Sequence, residues 1–395
     1  LLKRCPQRRE KVRSKLPSIG WITYYFPPIA GGGINRNLEI PLHLKRMGWD
    51  VSIYTPHPGR YVRIKDVDTN GLNVVRFPTI DPFHLGKISG TGGMGRRDRL
   101  TFPDNKVLIL PFLFNALKKH DIYVVSAPPF SLFMAGLILK KMGYRWVAEF
   151  RDPYVDGTLG NYLLPFLNNM AKSYERSVVK NADAIITLSP GLTEVFQKRY
   201  RQSNIYTITN GYSEEDFKDI KKIKGKEFIL TYMGSFNRTH SPDIVIEALE
   251  ILKRKGITNF KFQVVGNILP EYMRRFKEFP FFRYRGYLDR KEAIETIVNS
   301  DALLLLLTPE ESPYTIPGKT FEYIRTGKPI ILISEEGELK RLLNGGCIHA
   351  GYSPEKISEM IMDVMNGEKT HTIPPWRFEW GSLAADYSEI LWSLL

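Results

Sequence analysis

Cysteine is almost missing from this chain. Cys5 and Cys347 are the only two in 395 residues, and they stand in unlike surroundings. That excludes a disulfide framework and a zinc site built on cysteine spacing, and it fits a reducing compartment. Long apolar runs are missing too. The longest core runs, such as Ala302–Leu307, are far too short to span a bilayer. Basic residues crowd positions 1–17 with no apolar segment behind them, so no secretory signal is read there and a cytoplasmic protein is expected. There is no full GxGxxG fingerprint and no Walker lysine followed by Ser or Thr. Acidic residues are the scarcer sign, 42 against 56 Lys and Arg, a net charge of +14. A basic balance favours anionic partners: nucleic acid, anionic lipid or phosphorylated small molecules. No aromatic-basic pattern of a nucleic-acid module occurs, so nucleic acid is not expected.

What is present is a twice-repeated α/β pattern. Residues 1–17 read as a basic arm, with contact to an anionic membrane left open. Ser18–Tyr25 reads as a strand. Pro27 and Pro28 stop it, Gly31, Gly32 and Gly33 form a loop, and a helix runs from Ile34 to Met47 with Leu38, Leu42 and Met47 on its apolar side. Strand, glycine loop, helix, strand is the opening of a nucleotide-type α/β unit, and such a loop can bring backbone N–H groups to a phosphate. Residues 79–105 form a long glycine-rich basic loop with Arg96, Arg97 and Arg99, a length that points to function or disorder. Tyr144–Phe150 reads as a strand ending in Arg151-Asp152-Pro153-Tyr154. Ligands of open α/β sheets lie at the carboxyl ends of strands, which makes Asp152 a site candidate beside the plainer reading of a loop cap.

The division expected is an N-terminal unit over 18–212, a charged linker over 213–226, a second unit over 227–372 and a closing helix within 373–395. In the second unit Ala302–Leu307 is a fully buried strand, as a central parallel strand should be. The stretch Ser312–Ile333 follows it: a loop, a short helix, a turn and another buried strand. Pro313 and Pro317 keep the entry out of helix. Gly318 admits close backbone approach, and Gly327 with Pro329 ends the helix. Lys319 and Glu322 are three apart and share a face. A cation and a carboxylate at a helix start suit a ligand carrying both phosphate and sugar hydroxyls, although an exposed salt-bridged helix gives the same spacing. Two such units in tandem hold ligand in the cleft between them.

The motifs in order resemble glycosyltransferase family 4, a two-domain GT-B fold, and most closely its bacterial members with a YYFPP start. The matching pieces are Tyr24–Arg36 (YYFPPIAGGGINR), Phe102–Asn105 (FPDN), Ser126–Ser131 (SAPPFS), Trp146–Tyr154 (WVAEFRDPY), Ala182–Leu192, Ile208–Phe217, Tyr232–Asn237 (YMGSFN) and Ile316–Ile330 (IPGKTFEYIRTGKPI). The resemblance implies two Rossmann-like domains with parallel sheets facing across a cleft, and a C-terminal helix crossing back to the first. It implies that Glu322 grips the ribose hydroxyls, that Lys319 lies near the diphosphate, and that Ile316, Pro317 and Gly318 add backbone donors. Gly31, Gly32 and Gly33 approach the phosphates from the other side, and Gly266 with Gly286, Tyr287 and Leu288 flanks the base. The Asp66-Val67-Asp68 spacing, a metal motif in another glycosyltransferase fold, sits beside Asn70-Gly71 and reads as a hairpin between two short strands. No metal and no cofactor beyond a UDP- or GDP-sugar donor is expected.

Three departures stand out. Tyr314 falls where the family's first signature glutamate lies, and Glu310 or Glu311 is the candidate substitute. Ser235 and His240 fall where the usual arginine and lysine lie, which makes Arg238 the replacement cation. No histidine motif of the first domain is recognisable. The resemblance implies transfer of a sugar to a carbohydrate or lipid-linked hydroxyl, with retention, in cell-surface polysaccharide or glycoconjugate synthesis at the inner face of a membrane. Asp152, Arg238 and Lys319 are the candidate catalytic residues. Two alternatives stay open: a GT-B-like sugar-nucleotide epimerase, and an inactive polyanion-binding relative.

Overall fold

A computed structural model describes residues 16–29, 33–59, 69, 71–80, 100–157, 162–223, 225, 227–309, 311, 313–368 and 371–395. Gly31, Gly32, Glu310, the 66–68 triplet and Arg96, Arg97 and Arg99 lie outside them. The first half carries β1 (Ser18–Thr23), α1 (Ile34–Arg46), β2 (Asp50–Pro56), β3 (Asn73–Phe77), α2 (Leu110–Ala116), β4 (Ile122–Ala127), α3 (Leu132–Lys141), β5 (Arg145–Phe150), α4 (Pro165–Asn181), β6 (Ala184–Thr187), α5 (Pro190–Tyr200) and β7 (Ile205–Thr207). The second carries β8 (Phe228–Met233), α6 (Asp243–Arg254), β9 (Phe260–Val265), α7 (Pro270–Phe276), β10 (Phe282–Gly286), α8 (Arg290–Val298), β11 (Ala302–Leu306), α9 (Lys319–Thr326), β12 (Ile330–Ile333), α10 (Glu338–Leu342), β13 (Ile348–His349), α11 (Pro354–Met365) and α12 (Trp380–Ser393).

The strands form two all-parallel sheets, of seven strands in the order β3-β2-β1-β4-β5-β6-β7 and of six in the order β10-β9-β8-β11-β12-β13. Both are buried on two faces, so their central strands read as near-continuous apolar runs: every residue of β1, β4 and β11 is buried. The strand order reverses between β1 and β4 and again between β8 and β11. Loops leaving those strands in opposite directions open a crevice, where ligands of such sheets bind. The fold is the two-domain α/β arrangement the family resemblance implies.

Several local readings need correction. β3 pairs in parallel with β2; the other arm of the hairpin expected around Asn70-Gly71 lies outside the described residues, and the Leu72 N–H donates to Thr69 O (2.9 Å). The buried face of α1 is Ile34, Arg36, Asn37, Ile40, Pro41, Leu42 and Leu44, while Met47 is exposed. Helix α7 was not anticipated. At the start of the 213–226 stretch Glu214 pairs with Arg325, and Asp216 with Arg290.

Helix α12 buries Trp380, Leu383, Ala384, Tyr387 and Leu391 in one cluster with Ile19, Trp21 and Val51 of the first sheet. Trp49 Nε1 donates to Ser388 Oγ at 2.9 Å. The halves also meet at a seam where the Gly191 N–H donates to Glu338 Oε2 (2.7 Å). Helix α3 lies close on the sheet because Gly136 faces the Trp146 ring; a Cβ there would come within 2.1 Å of it. Gly136→Ala is therefore expected to cost about 1–3 kcal/mol by overpacking, read as an earlier midpoint in urea unfolding.

Candidate active site

The second crevice is built first by glycines. β8 ends at Gly234 and β9 at Gly266. Gly266 holds φ +130, and a Cβ on it would lie 2.3 Å from Gly234 O, so only glycine lets the two turns touch. Above them starts α9. Its Phe321, Tyr323 and Ile324 are buried, and Tyr323 Oη accepts from the Met233 N–H at 2.9 Å, fixing the helix to the end of β8. Gly327, at φ +67, caps its C-terminus. Gly318 has open space where a Cβ would sit.

This docking aims Lys319 inward. Its Nζ lies 4.1 Å from the centroid of the Tyr232 ring, which itself stacks on Phe236. Burial pushes the ammonium down to about 7, and the charges of Glu311 and Glu322 restore only part of the loss. Glu311 also accepts from His240 Nε2 (2.8 Å) and from the Thr308 N–H (3.1 Å). Burial works to raise the Glu311 carboxyl, but those bonds and the His240 charge hold it below its ordinary range.

Glu322 faces the other way along the crevice. Its Oε1 lies 2.9 Å from Arg290 Nη1, and the same guanidinium donates from Nε to Asp216 Oδ2 at 2.8 Å. Burial raises the Glu322 carboxyl against the pull of Arg290. The first half reaches this group through Glu39 on α1. Burial, followed by the Asp216 charge, raises Glu39 to about 7, while Arg290 and Arg46 oppose the rise. The crevice wall therefore carries acid from both halves around one arginine.

In the first half the Arg-Asp of the FRDPY motif divides its tasks. Arg151 is buried and donates to Pro128 O (2.6 Å) and Gly33 O (3.3 Å), tying the turn after β4 and the start of α1 to the end of β5. Gly33 is left-handed at φ +77, and a Cβ there would come within 2.6 Å of Arg151. Asp152 is exposed to solvent. Desolvation raises its carboxyl, and Arg151 offsets part of the rise. Beneath them Arg36 and Glu149 form a fully buried pair at 2.9 Å. Asp104 of the FPDN motif accepts from the Ser131 N–H (2.7 Å) and the Lys106 N–H (2.9 Å), which sets the turn after β4.

Of the residues singled out in the sequence, Lys319, Glu322, Gly266, Ile316, Pro317 and Gly318 gather at the second crevice, with Gly286 at the end of β10 beside Gly266 (2.8 Å, Gly266 N–H to Gly286 O). Tyr287 is exposed and Leu288 half-buried just beyond it. Gly33 and Asp152 lie at the first crevice; Gly31 and Gly32 are outside the described residues. Arg238 stands on the outer rim, 84% exposed and 3.7 Å from Glu271. It lines an open hollow of about 740 Å³ with Asn237, His240 and Arg274. His240, two residues on, is the group tied to the Lys319 cluster. Arg290, Asp216, Glu311 and Arg151 complete the walls. Arg290 carries no local sequence signal, since its partners are 74 and 32 residues away. Among the described residues no group of three or more His, Cys, Asp or Glu is placed to hold a metal.

Solved structures share this architecture along nearly the whole chain. Sucrose-phosphate synthase from Thermosynechococcus elongatus matches with a TM-score of 0.69 at 15% identity, over 96% of this chain and 99% of that one. HepE from Anabaena, solved in complex with UDP, matches at 0.64 and 14%, over 96% and 100%. The catalytic domain of starch synthase IV from Arabidopsis thaliana, bound to ADP and acarbose, matches at 0.63 and 14%, over 96% and 99%. Identities this low establish the fold, which is that of GT-B glycosyltransferases. Residues 31–211 match the Glycosyl transferase 4-like domain family, so the chain carries a glycosyltransferase domain, the mark of that enzyme class. A stretch of 93 residues is also 31% identical to DNA-directed RNA polymerase II subunit 4 of Arabidopsis thaliana. It makes up 23% of this chain, and the chain spans 66% of that protein's length. No activity is carried over from it.

Proposed function

We propose that the protein transfers a sugar from a nucleotide-diphosphate donor, a UDP- or GDP-sugar, to a carbohydrate or lipid-linked hydroxyl, with retention, in cell-surface glycoconjugate synthesis at the cytoplasmic face of a membrane. The units 18–212 and 227–372 serve as acceptor and donor halves, joined by 213–226 and by the return of 373–395. The observation that carries the reading is the placement of Lys319. It stands at the start of α9, over the Tyr232 ring and with no ion pair of its own among the described contacts, beside the point where strand order reverses: a cation placed for an anion. A diphosphate supplies that anion, and the UDP in the related HepE structure is of that chemistry.

In this mechanism the leaving diphosphate gains charge as the glycosidic bond breaks. Lys319 and the backbone N–H groups at the start of α9 stabilise it. Glu322, steadied by Arg290, orients the ribose hydroxyls, and the turns at Gly266 and Gly286–Leu288 flank the base. Gly31–Gly33 approach the phosphates from the first half. Glu311, held by His240, takes the place of the signature glutamate that Tyr314 lacks and reads the sugar. Asp152 orients the acceptor hydroxyl, and Arg238 draws the anionic donor in from the rim.

The charge state of Lys319 gives a pH test whose sign is fixed. A bound diphosphate favours the charged form and raises the Lys319 pKa, so binding takes up a proton wherever the empty site is neutral. Affinity for UDP or GDP should be level below pH 7. Above it, affinity should fall by up to about tenfold per pH unit, until the raised pKa is passed. Calorimetry in two buffers of different ionisation enthalpy reads the proton uptake directly. A flat pH profile without uptake would remove Lys319 from the phosphate site. For the donor itself, a thermal-shift screen of nucleotide-sugars should single out one base, because a ligand that binds only the native state raises the melting point. No shift with any nucleotide-sugar would favour a relative that kept the fold without the reaction.

A further inference from the structure

Four large apolar side chains stand exposed within eight residues at the start of α4: Leu163 (47%), Leu164 (41%), Phe166 (59%) and Met170 (44%). They are not loose. Leu167, Ala171, Val178 and Val179 root the opposite side of the helix in the core. Tyr162 locks its entrance, with its hydroxyl 2.7 Å from Tyr154 Oη and donating to Pro103 O. The fold thus holds apolar surface in water at a fixed place. Phe166 and Met170, four apart, lie on one face of the helix. Lys172, Arg176 and Lys180 repeat every fourth residue along an adjoining exposed stripe. The carboxylate between them is withdrawn: Glu175 is buried and engaged by Tyr200 Oη (2.5 Å), Arg199 and the Val155 N–H. The outward side of α4 therefore carries three cations and no carboxylate.

We infer that this side of α4 is a docking surface for an anionic lipid bilayer. An apolar tip followed by a cationic stripe matches an interface where acyl chains lie beneath negative headgroups. The contact is interfacial, since no described helix is long and apolar enough to cross a membrane. The tip adjoins the Tyr154 end of the FRDPY segment, so docking there sets the Asp152 crevice beside the lipid surface. The surface does not depend on the sugar-transfer reading, and its test needs no donor.

The experiment is cosedimentation of the full chain with phosphatidylcholine vesicles, with and without phosphatidylglycerol. Wild type should bind only the anionic vesicles, and less in high salt. The double variant Leu164→Glu/Phe166→Glu and the triple variant Lys172→Glu/Arg176→Glu/Lys180→Glu should each lower the partition coefficient by at least about tenfold. Since these side chains already face water, circular dichroism, melting and nucleotide binding should stay at wild-type values. A chain lacking residues 1–17 should keep most of the binding. The inference falls if wild type ignores anionic vesicles, if both variants bind as wild type, or if removal of 1–17 alone abolishes binding. It falls equally if the apolar tip instead drives self-association that the double variant abolishes in light scattering.

Discussion

Lys319→Ala is expected to lower kcat/KM for sugar transfer by about 10²–10³-fold, the usual cost of one lost donor to developing charge. The protein is expected to remain folded and no less stable. That second expectation separates a functional lysine from a structural one. Lys319 has no direct ion pair among the described contacts, only the Tyr232 ring face beneath it and the more distant charges of Glu311 and Glu322. Burial of its charge disfavours the fold below pH 7, and the penalty is relieved as pH rises from about 7 towards 10.5, the ordinary lysine value. Removing it should therefore leave the melting temperature unchanged or raised at pH 6. Steady-state kinetics with the donor found by thermal shift, set beside melting curves, checks both halves. Lys319→Arg should recover only part of the rate, because a planar fork does not sit where a point charge sat.

Glu149→Ala should cost about 3–5 kcal/mol of stability, the penalty for leaving a buried charge alone. Glu149 Oε2 accepts from Nε (3.0 Å) and Nη2 (2.9 Å) of Arg36, and Oε1 accepts from Ser126 Oγ (2.7 Å). Arg36 keeps one other bond, from Nη1 to Thr209 O (2.6 Å). The pair joins α1, β4, β5 and the end of the first unit. Its loss should also loosen the site, so kcat/KM falls with the melting point. The melting temperature should drop by on the order of 10 °C, as expected for a unit of this size. Replacing both partners, as Arg36→Met with Glu149→Leu, should restore most of the stability. Calorimetry of the single and double variants decides; an unchanged transition in Glu149→Ala would contradict the role.

The elements around the site were legible where chemistry is local. Gly318, Lys319 and Gly327 bracket α9, and the apolar run Ala302–Leu306 marks a central strand, because caps and burial patterns are written within a few residues. The walls of the site were not legible. Arg290 meets Asp216 and Glu322 only after two chain reversals, and the 213–226 stretch reads as a solvated linker when those partners are unknown. Arg238 attracted notice as the nearest cation in sequence, while the fold turns His240 to Glu311 and leaves Arg238 at the rim. Helix α7 escaped because seven residues opening on proline show too little periodicity. In the sequence nothing sets the apolar tip of α4 apart from the rest of a mixed polar-apolar helix, since exposure is decided by packing and not by composition.

The donor site is tested most directly by calorimetric titration of UDP and GDP into wild type, Lys319→Ala and Glu322→Ala at pH 7. One nucleotide should bind wild type with proton uptake. Lys319→Ala should bind it far more weakly and without uptake, and Glu322→Ala should weaken it by losing the ribose contacts. Equal affinity in all three proteins would contradict a donor site on α9.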